Sequence, residues 1–184
     1  MQEIHQKTVT LVLGGVRSGK SKYAVKLASK ASRVIFLATA KPSDAEMCAK
    51  IKRHQEERPT QWLTIEEPLA LDHVLRQHDS GNQLFVIDCL TFLAANLLEA
   101  EAGNEEALKK RVACFCAALQ SISSSVVLVS NEVGSGVVPS YVVGRRFRDL
   151  TGEMNQRVAA LADTVLLMVA GLPLVLKGRL EVAP

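Results

Sequence analysis

The chain has 184 residues, 48% of them hydrophobic and 4% aromatic, with a net charge of +3. That is enough apolar material for one substantial core, but there is neither the basic stripe nor the aromatic surface that suits nucleic acid. The N-terminal Met1 to Lys7 lacks a signal-peptide core, and the apolar run Val165 to Leu176 is broken by Gly171 and Pro173, so no membrane span is expected.

The elements follow in order. Thr8 to Leu13 is a β-branched apolar run suited to a buried strand. It leads into Gly14-Gly15-Val16-Arg17-Ser18-Gly19-Lys20-Ser21, which reads G-x-x-x-x-G-K-S, the phosphate-binding P-loop. Glycines allow the backbone N–H groups to close around a polyphosphate, and the following helix N-terminus adds favourable partial charge. Lys20 would meet the β- and γ-phosphates, and the Ser21 hydroxyl would ligate Mg²⁺. The spacing of Tyr23, Leu27 and Lys30 or Ala31 predicts a helix packing that face.

Arg33 to Thr39 is a second buried strand, and strand, helix, strand in this length implies a right-handed parallel crossover. Ligands bind beyond the carboxyl ends of such strands, so Thr39 and Ala40 belong near the P-loop. Ser43-Asp44-Ala45-Glu46 reads as a capping box opening a helix that ends by Arg58, because Pro59 follows. Met47, Lys50, Ile51 and His54 share one face of it, with His54 expected to be partly covered. A short strand at Trp62 to Glu66, a helix from Pro68 to His78 and a polar turn at Gln77 to Asn82 come next.

Leu84-Phe85-Val86-Ile87-Asp88 has the form of a Walker B strand whose carboxylate holds or orients Mg²⁺; many buried strands end in an Asp that caps a helix, and the upstream P-loop favours the metal role here. Helices are expected at Leu90 to Leu98 and Glu105 to Ile122, a buried strand at Val126 to Ser130, and a polar glycine-rich loop at Asn131 to Gly136. Val143 to Ala162 reads as a long helix carrying a Glu153–Arg157 pair at i, i+4. Asp163 to Val169 and Leu172 to Leu176 close the chain as an edge hairpin. Cys48, Cys89, Cys114 and Cys116 have no C-x-x-C spacing and read as small buried residues of a reducing cytoplasm. One domain over 1–184, with tails at 1–7 and 178–184, accounts for the whole.

Several stretches together resemble one family. The Arg17-Ser18 before Gly19-Lys20, the pair Ala38-Thr39, Ile51-Lys52-Arg53-His54, Arg58-Pro59, Trp62 and Glu66 are similar to adenosylcobinamide kinase/adenosylcobinamide-phosphate guanylyltransferase. So are Asn131-Glu132-Val133-Gly134 with Val138-Pro139, Phe147-Arg148-Asp149 and Asn155-Gln156-Arg157. The resemblance implies a RecA-like α/β P-loop fold, usually a homotrimer, with a corrinoid substrate, GTP and ATP as nucleotides, and Mg²⁺. It implies two reactions, phosphorylation of the corrinoid's aminopropanol hydroxyl and transfer of GMP to that phosphate through a GMP–histidine intermediate. His54 matches the histidine, and Ala38, Thr39, Ala40, Gln55, Glu56, Glu57, Arg58, Glu66 and Asp88 match nucleotide-binding positions. A neutral imidazole is a competent nucleophile near pH 7. His5, His73 and His78 lack such a context and read as surface residues.

Two departures stand out. Arg53 precedes His54 where some relatives have a second histidine, so no neighbouring imidazole can substitute, and Ala40-Lys41-Pro42 differs from the usual residues. Read from the residues alone, a P-loop kinase of another small alcohol and a nucleotide-dependent switch or assembly ATPase remain alternatives.

Overall fold

The computed structural model describes residues 7–56 and 58–180. Its strands are β1 (Val9–Gly14), β2 (Val34–Ala38), β3 (Leu63–Glu66), β4 (Leu84–Asp88), β5 (Ser125–Val129), β6 (Thr164–Val169) and β7 (Leu172–Lys177). Its helices are α1 (Lys20–Ala28), α2 (Ala45–Glu56), α3 (Leu71–His78), α4 (Leu90–Ala100), α5 (Glu105–Ser121) and α6 (Val142–Leu161). The strands form one sheet in the order β3-β2-β4-β5-β1-β6-β7. All neighbours pair in parallel except β6 with β7, whose antiparallel hairpin forms one edge. The central strands are apolar almost throughout because both sheet faces are covered.

Alternation along each strand divides the core. Leu11, Ile35, Leu37, Phe85, Ile87 and Leu128 point to one face, where they meet Leu71, Leu75, Leu93, Leu108, Phe115 and Met154 from α3 to α6. Val12, Phe36, Val86, Val127 and Leu166 point to the other, where the covering is thinner: Ala24 and Ala28 of α1, and Trp62. Four helices on one face against essentially one on the other leave space beside α1.

Several local expectations shift. The face that α1 buries is Lys20, Ala24 and Ala28, while Tyr23 and Leu27 are half-buried and the helix stops before Lys30. Small residues win because α1 lies close on the sheet, where a ring would hold it off. At α2 the cap is Asp44, whose Oδ1 accepts from the Met47 N–H at 2.8 Å, while Glu46 pairs with Lys50 at 2.8 Å instead of closing a box with Ser43. No described residue of α2 is buried, and His54 is exposed, not partly covered. The third helix starts at Leu71, after Glu67 Oε1 has accepted from the N–H groups of Leu69 and Ala70 at 2.8 Å each. Cys48 is exposed, and only Cys89 of the cysteines is fully buried. The Glu153–Arg157 pair forms at 2.6 Å.

Asp79 secures the turn before β5. Its carboxylate accepts from the N–H groups of Ser123 and Ser124, at 2.7 and 3.0 Å, and from the Ser124 hydroxyl at 2.5 Å. Burial alone would raise its pKa, but the Ser124 and Ser123 hydrogen bonds outweigh that and hold it below the ordinary carboxylate value. A depressed pKa gives stability that is present above the unfolded value of about 4 and is lost as pH falls through the folded one. Asp79→Ala should therefore cost about 1–3 kcal/mol at pH 7. Urea titrations at pH 7 and pH 3 check this; the gap between mutant and parent should narrow in acid.

Candidate active site

The loop between β1 and α1 is shaped by two glycines that no other residue could replace without strain. Gly14 has φ +152°, and a Cβ there would come within 2.5 Å of Ser18 Oγ and 2.7 Å of the Met168 carbonyl oxygen. Gly19 has φ +95°, with a Cβ only 3.3 Å from Gly171 Cα. Arg17 also takes a left-handed conformation, at φ +56°. Val16 and Arg17 project from the loop into solvent, and Gly15 is exposed. Ser18 is buried, and its carbonyl accepts from the Gly171 N–H at 3.0 Å. The turn of the terminal hairpin is thus fastened to the loop from some 150 residues away, a contact for which the sequence carries no signal.

Lys20 is 8% exposed, and its ammonium donates to the Gly15 carbonyl at 2.5 Å across the loop. Burial pulls its pKa below the ordinary lysine value, with Cys89 and Asp88 opposing. Asp88 ends β4, beside Ala38 on β2 and Val129 on β5. Burial pushes its carboxyl above the ordinary range, opposed by the Ser21 hydroxyl and by the nearby side chains of His54, Arg58 and Lys20. Cys89, next along, is driven up to about 12 by burial and is no nucleophile.

Thr39 does not present its hydroxyl to a ligand. It is fully buried, and Oγ1 both accepts from the Cys89 N–H and donates to the Cys89 carbonyl, each at 2.7 Å. Its N–H donates to the Asp88 carbonyl at 3.1 Å. Asn96, which no motif marks, donates from Nδ2 to the Thr39 and Pro68 carbonyls at 2.8 and 3.0 Å. These bonds fix the backbone that carries Asp88.

A cavity of about 1030 Å³ opens on the sparsely covered face, and it brings together Gly19, Ser21, His54, Arg58 and Asp88. Phe36, Tyr23, Lys22, Lys26, Leu172 and Pro173 complete much of its wall, none of them marked by a motif. The Arg58 guanidinium lies 3.8 Å above the Phe36 ring, which stacks in turn on Trp62 at 6.4 Å. Its Nε and Nη1 are buried without a hydrogen-bond partner. Gln55 bonds Glu66 at 3.2 Å, and both are exposed, as is Glu56. Ala38 is buried and Ala40 half-buried at the end of β2. Glu57 and His5 lie outside the described residues.

The donors present suit a magnesium ion. Ser21 and Asp88 offer one hydroxyl and one carboxylate, the sparse protein set expected where phosphates and water supply the other ligands. Among the described residues no group of three or more His, Cys, Asp or Glu side chains forms a self-sufficient metal cage.

The family model described as cobinamide kinase / cobinamide phosphate guanyltransferase matches residues 10–176. The chain belongs to this family. It is 37% identical over 178 residues to the bifunctional adenosylcobalamin biosynthesis protein CobU of Escherichia coli, covering 91% of this chain and 98% of the relative. It is 39% identical over 170 residues to CobP of Pseudomonas aeruginosa, a protein of the same description, covering 92% and 97%. In fold it is similar to an ATPase of a bacterial type III secretion system, with TM-score 0.60 and 10% identity over 88% of this chain. The chain spans about half of that ATPase, 51% of its length. A KaiC-like protein of Pyrococcus horikoshii gives TM-score 0.53 and 13% identity, covering 95% of this chain and 80% of that one. Both likenesses concern the fold, a mostly parallel P-loop sheet flanked by helices.

Thr39→Val keeps the shape of the family member's β4 support but leaves the Cys89 N–H without its partner. It should destabilise the protein by about 1–3 kcal/mol in urea titration, and Thr39→Ser should recover most of the loss. Equal damage from both substitutions would remove the hydroxyl from the account.

Proposed function

We propose that this chain is a bifunctional enzyme of adenosylcobalamin biosynthesis that phosphorylates cobinamide and then guanylylates the cobinamide phosphate. One observation carries the chemistry beyond the family match: His54, Arg58, Asp88 and Ser21 line the same cavity as the P-loop glycine. A kinase of another small alcohol, or a nucleotide switch, would have no need of a histidine there.

In the first reaction the P-loop N–H groups and Lys20 hold the polyphosphate of ATP or GTP, and Lys20 spreads the charge that grows on the bridging oxygen. Ser21 and Asp88 would hold Mg²⁺, which when bound screens the phosphates and withdraws electron density from them. The cobinamide hydroxyl attacks the γ-phosphorus, the bond to the β-phosphate oxygen breaks, and the nucleoside diphosphate leaves while the hydroxyl proton is released. In the second, an imidazole nitrogen of His54 attacks the α-phosphorus of GTP. The P–N bond forms as the bond to pyrophosphate breaks. A phosphate oxygen of cobinamide phosphate then displaces the imidazole, which gives cobinamide-GDP and free histidine. Arg58, with two buried and unpartnered nitrogens, is suited to meet a phosphate oxygen on this side.

The assembly is a homotrimer in this reading. Leu174 and Leu176 support contact with another copy, because they stand 55% exposed on an edge strand. The free thiols suit a reducing cytoplasm, and no helix among the described residues is long and apolar enough to cross a membrane.

Lys20→Ala should depress both reactions by at least about a hundredfold, since each must neutralise a polyphosphate at this loop. Separate assays of the phosphorylated and the guanylylated product check it; survival of either at the parent rate would mean the reactions do not share the loop. With GTP and Mg²⁺ but no corrinoid, His54 should acquire one GMP in an acid-labile, alkali-stable phosphoramidate. His54→Ala should abolish that label and the transfer while sparing phosphorylation. Peptide mass spectrometry decides, and GMP found on any other residue defeats the assignment.

A further inference from the structure

After β5 the chain runs through Asn131 to Tyr141 before entering α6, and this segment is unusual in what it exposes. Val137 is 94% exposed, Val138 61%, Tyr141 66%, Val142 61% and Val143 68%. Five large apolar side chains in seven consecutive positions is a contiguous patch, and such patches on soluble proteins mark binding surfaces.

The segment is held in shape. The Glu132 N–H donates to the Gly14 carbonyl at 3.0 Å, which joins the segment directly to the P-loop. The Asn131 N–H donates to Thr91 Oγ1 at 2.8 Å, and its carbonyl accepts from Asn155 Nδ2 at 3.1 Å. Arg145 Nη1 donates to the carbonyls of Pro139 and Ser140 at 3.1 and 2.7 Å. Gly144 leaves room for the Tyr141 ring, which a Cβ would approach to 2.5 Å. Two arginines that could have met an anion, Arg145 and Arg148, instead spend donors on the segment's own carbonyls. From Val137 to Val143 the large side chains it exposes are apolar.

Position selects the occupant. Asp88 and Val129 are register partners at the carboxyl ends of β4 and β5, so the segment leaves the sheet beside the carboxylate that faces Lys20. A terminal phosphate held at the P-loop would therefore lie near the start of the segment, where the Glu132 N–H meets the Gly14 carbonyl. The polar wall of His54 and Arg58 stands with α1 and β2, which leaves this side of the loop for the acceptor. We propose that Val137, Val138 and Tyr141 form the platform on which the corrinoid acceptor rests, with its reactive arm directed at the phosphates. A corrin macrocycle presents broad apolar faces and edge methyl groups, which an exposed tyrosine ring and paired valines match in size and polarity. This placement rests on the cobinamide reading of the function.

The test is equilibrium dialysis of cobinamide against the whole protein, beside dialysis of GTP and sedimentation velocity. Tyr141→Ala and Val138→Asp, both at exposed positions, should each weaken cobinamide binding by at least about tenfold, because the burial they provide is lost. GTP affinity should stay within about twofold, and the sedimentation coefficient should not change. Leu63→Asp, at an exposed apolar position on the far edge strand, should leave cobinamide binding alone. Unchanged cobinamide affinity in both platform variants overturns the proposal. So does a loss that comes with a smaller sedimenting species, which would make the patch a contact between copies, or an equal loss in Leu63→Asp. A parent protein that binds GTP but no cobinamide would overturn the activity itself; a parent that binds both, with variants that bind both, removes only the platform.

Discussion

One buried ammonium group sets the terms for this site. Lys20 sits at 8% exposure against the Gly15 carbonyl, with Ser18 Oγ more distant at 3.5 Å and Asp88 as its carboxylate neighbour. Placing a cation there is costly unless anions or dipoles answer it. The Gly15 carbonyl and the Asp88 carboxylate answer it only in part, and burial pulls its pKa below the ordinary lysine value. In the proposed reading, a polyphosphate would complete the compensation.

The remaining architecture serves to keep that arrangement in place. Gly14 and Gly19 permit the backbone path, and the tip of the β6–β7 hairpin holds it through the Ser18–Gly171 bond. On the opposite side, Thr39 and Asn96 fix the end of β4 by bonds to backbone groups, so that the carboxylate of Asp88 is delivered by a rigid strand end. Catalytic geometry depends on such positioning bonds as much as on the groups that touch the substrate.

The asymmetry of the layers gives the site its space. α3 to α6 bury one face of the sheet with large aliphatic and aromatic side chains, while the other is covered by the small residues of α1 and by Trp62. α2 crosses this second side without burying a described residue and presents His54 at the cavity mouth. A helix so rich in charge cannot be part of the core. Its sequence spends its apolar positions sparingly, and its place is explained by what it carries. Arg58 just beyond it is the exception, pinned on Phe36 with donors facing the void.

What the sequence determined by itself was everything governed by local periodicity and backbone chemistry. The strand–loop–helix of Val9 to Ala28, the strand ending at Asp88, and the terminal hairpin followed from β-branched runs, glycines and turn residues acting over a few positions. His54 entered through its resemblance to a family motif; helical spacing alone would have put it on a half-covered stripe, which the structure does not have. Tertiary structure alone decided the strand order, which face of α1 is buried, and the diversion of the Thr39 hydroxyl to Cys89. It alone joined Gly171 to the P-loop and Glu132 to Gly14. Those outcomes turn on close packing and on hydrogen bonds between residues up to about 150 positions apart, and neither leaves a trace in the spacing of side chains along the chain.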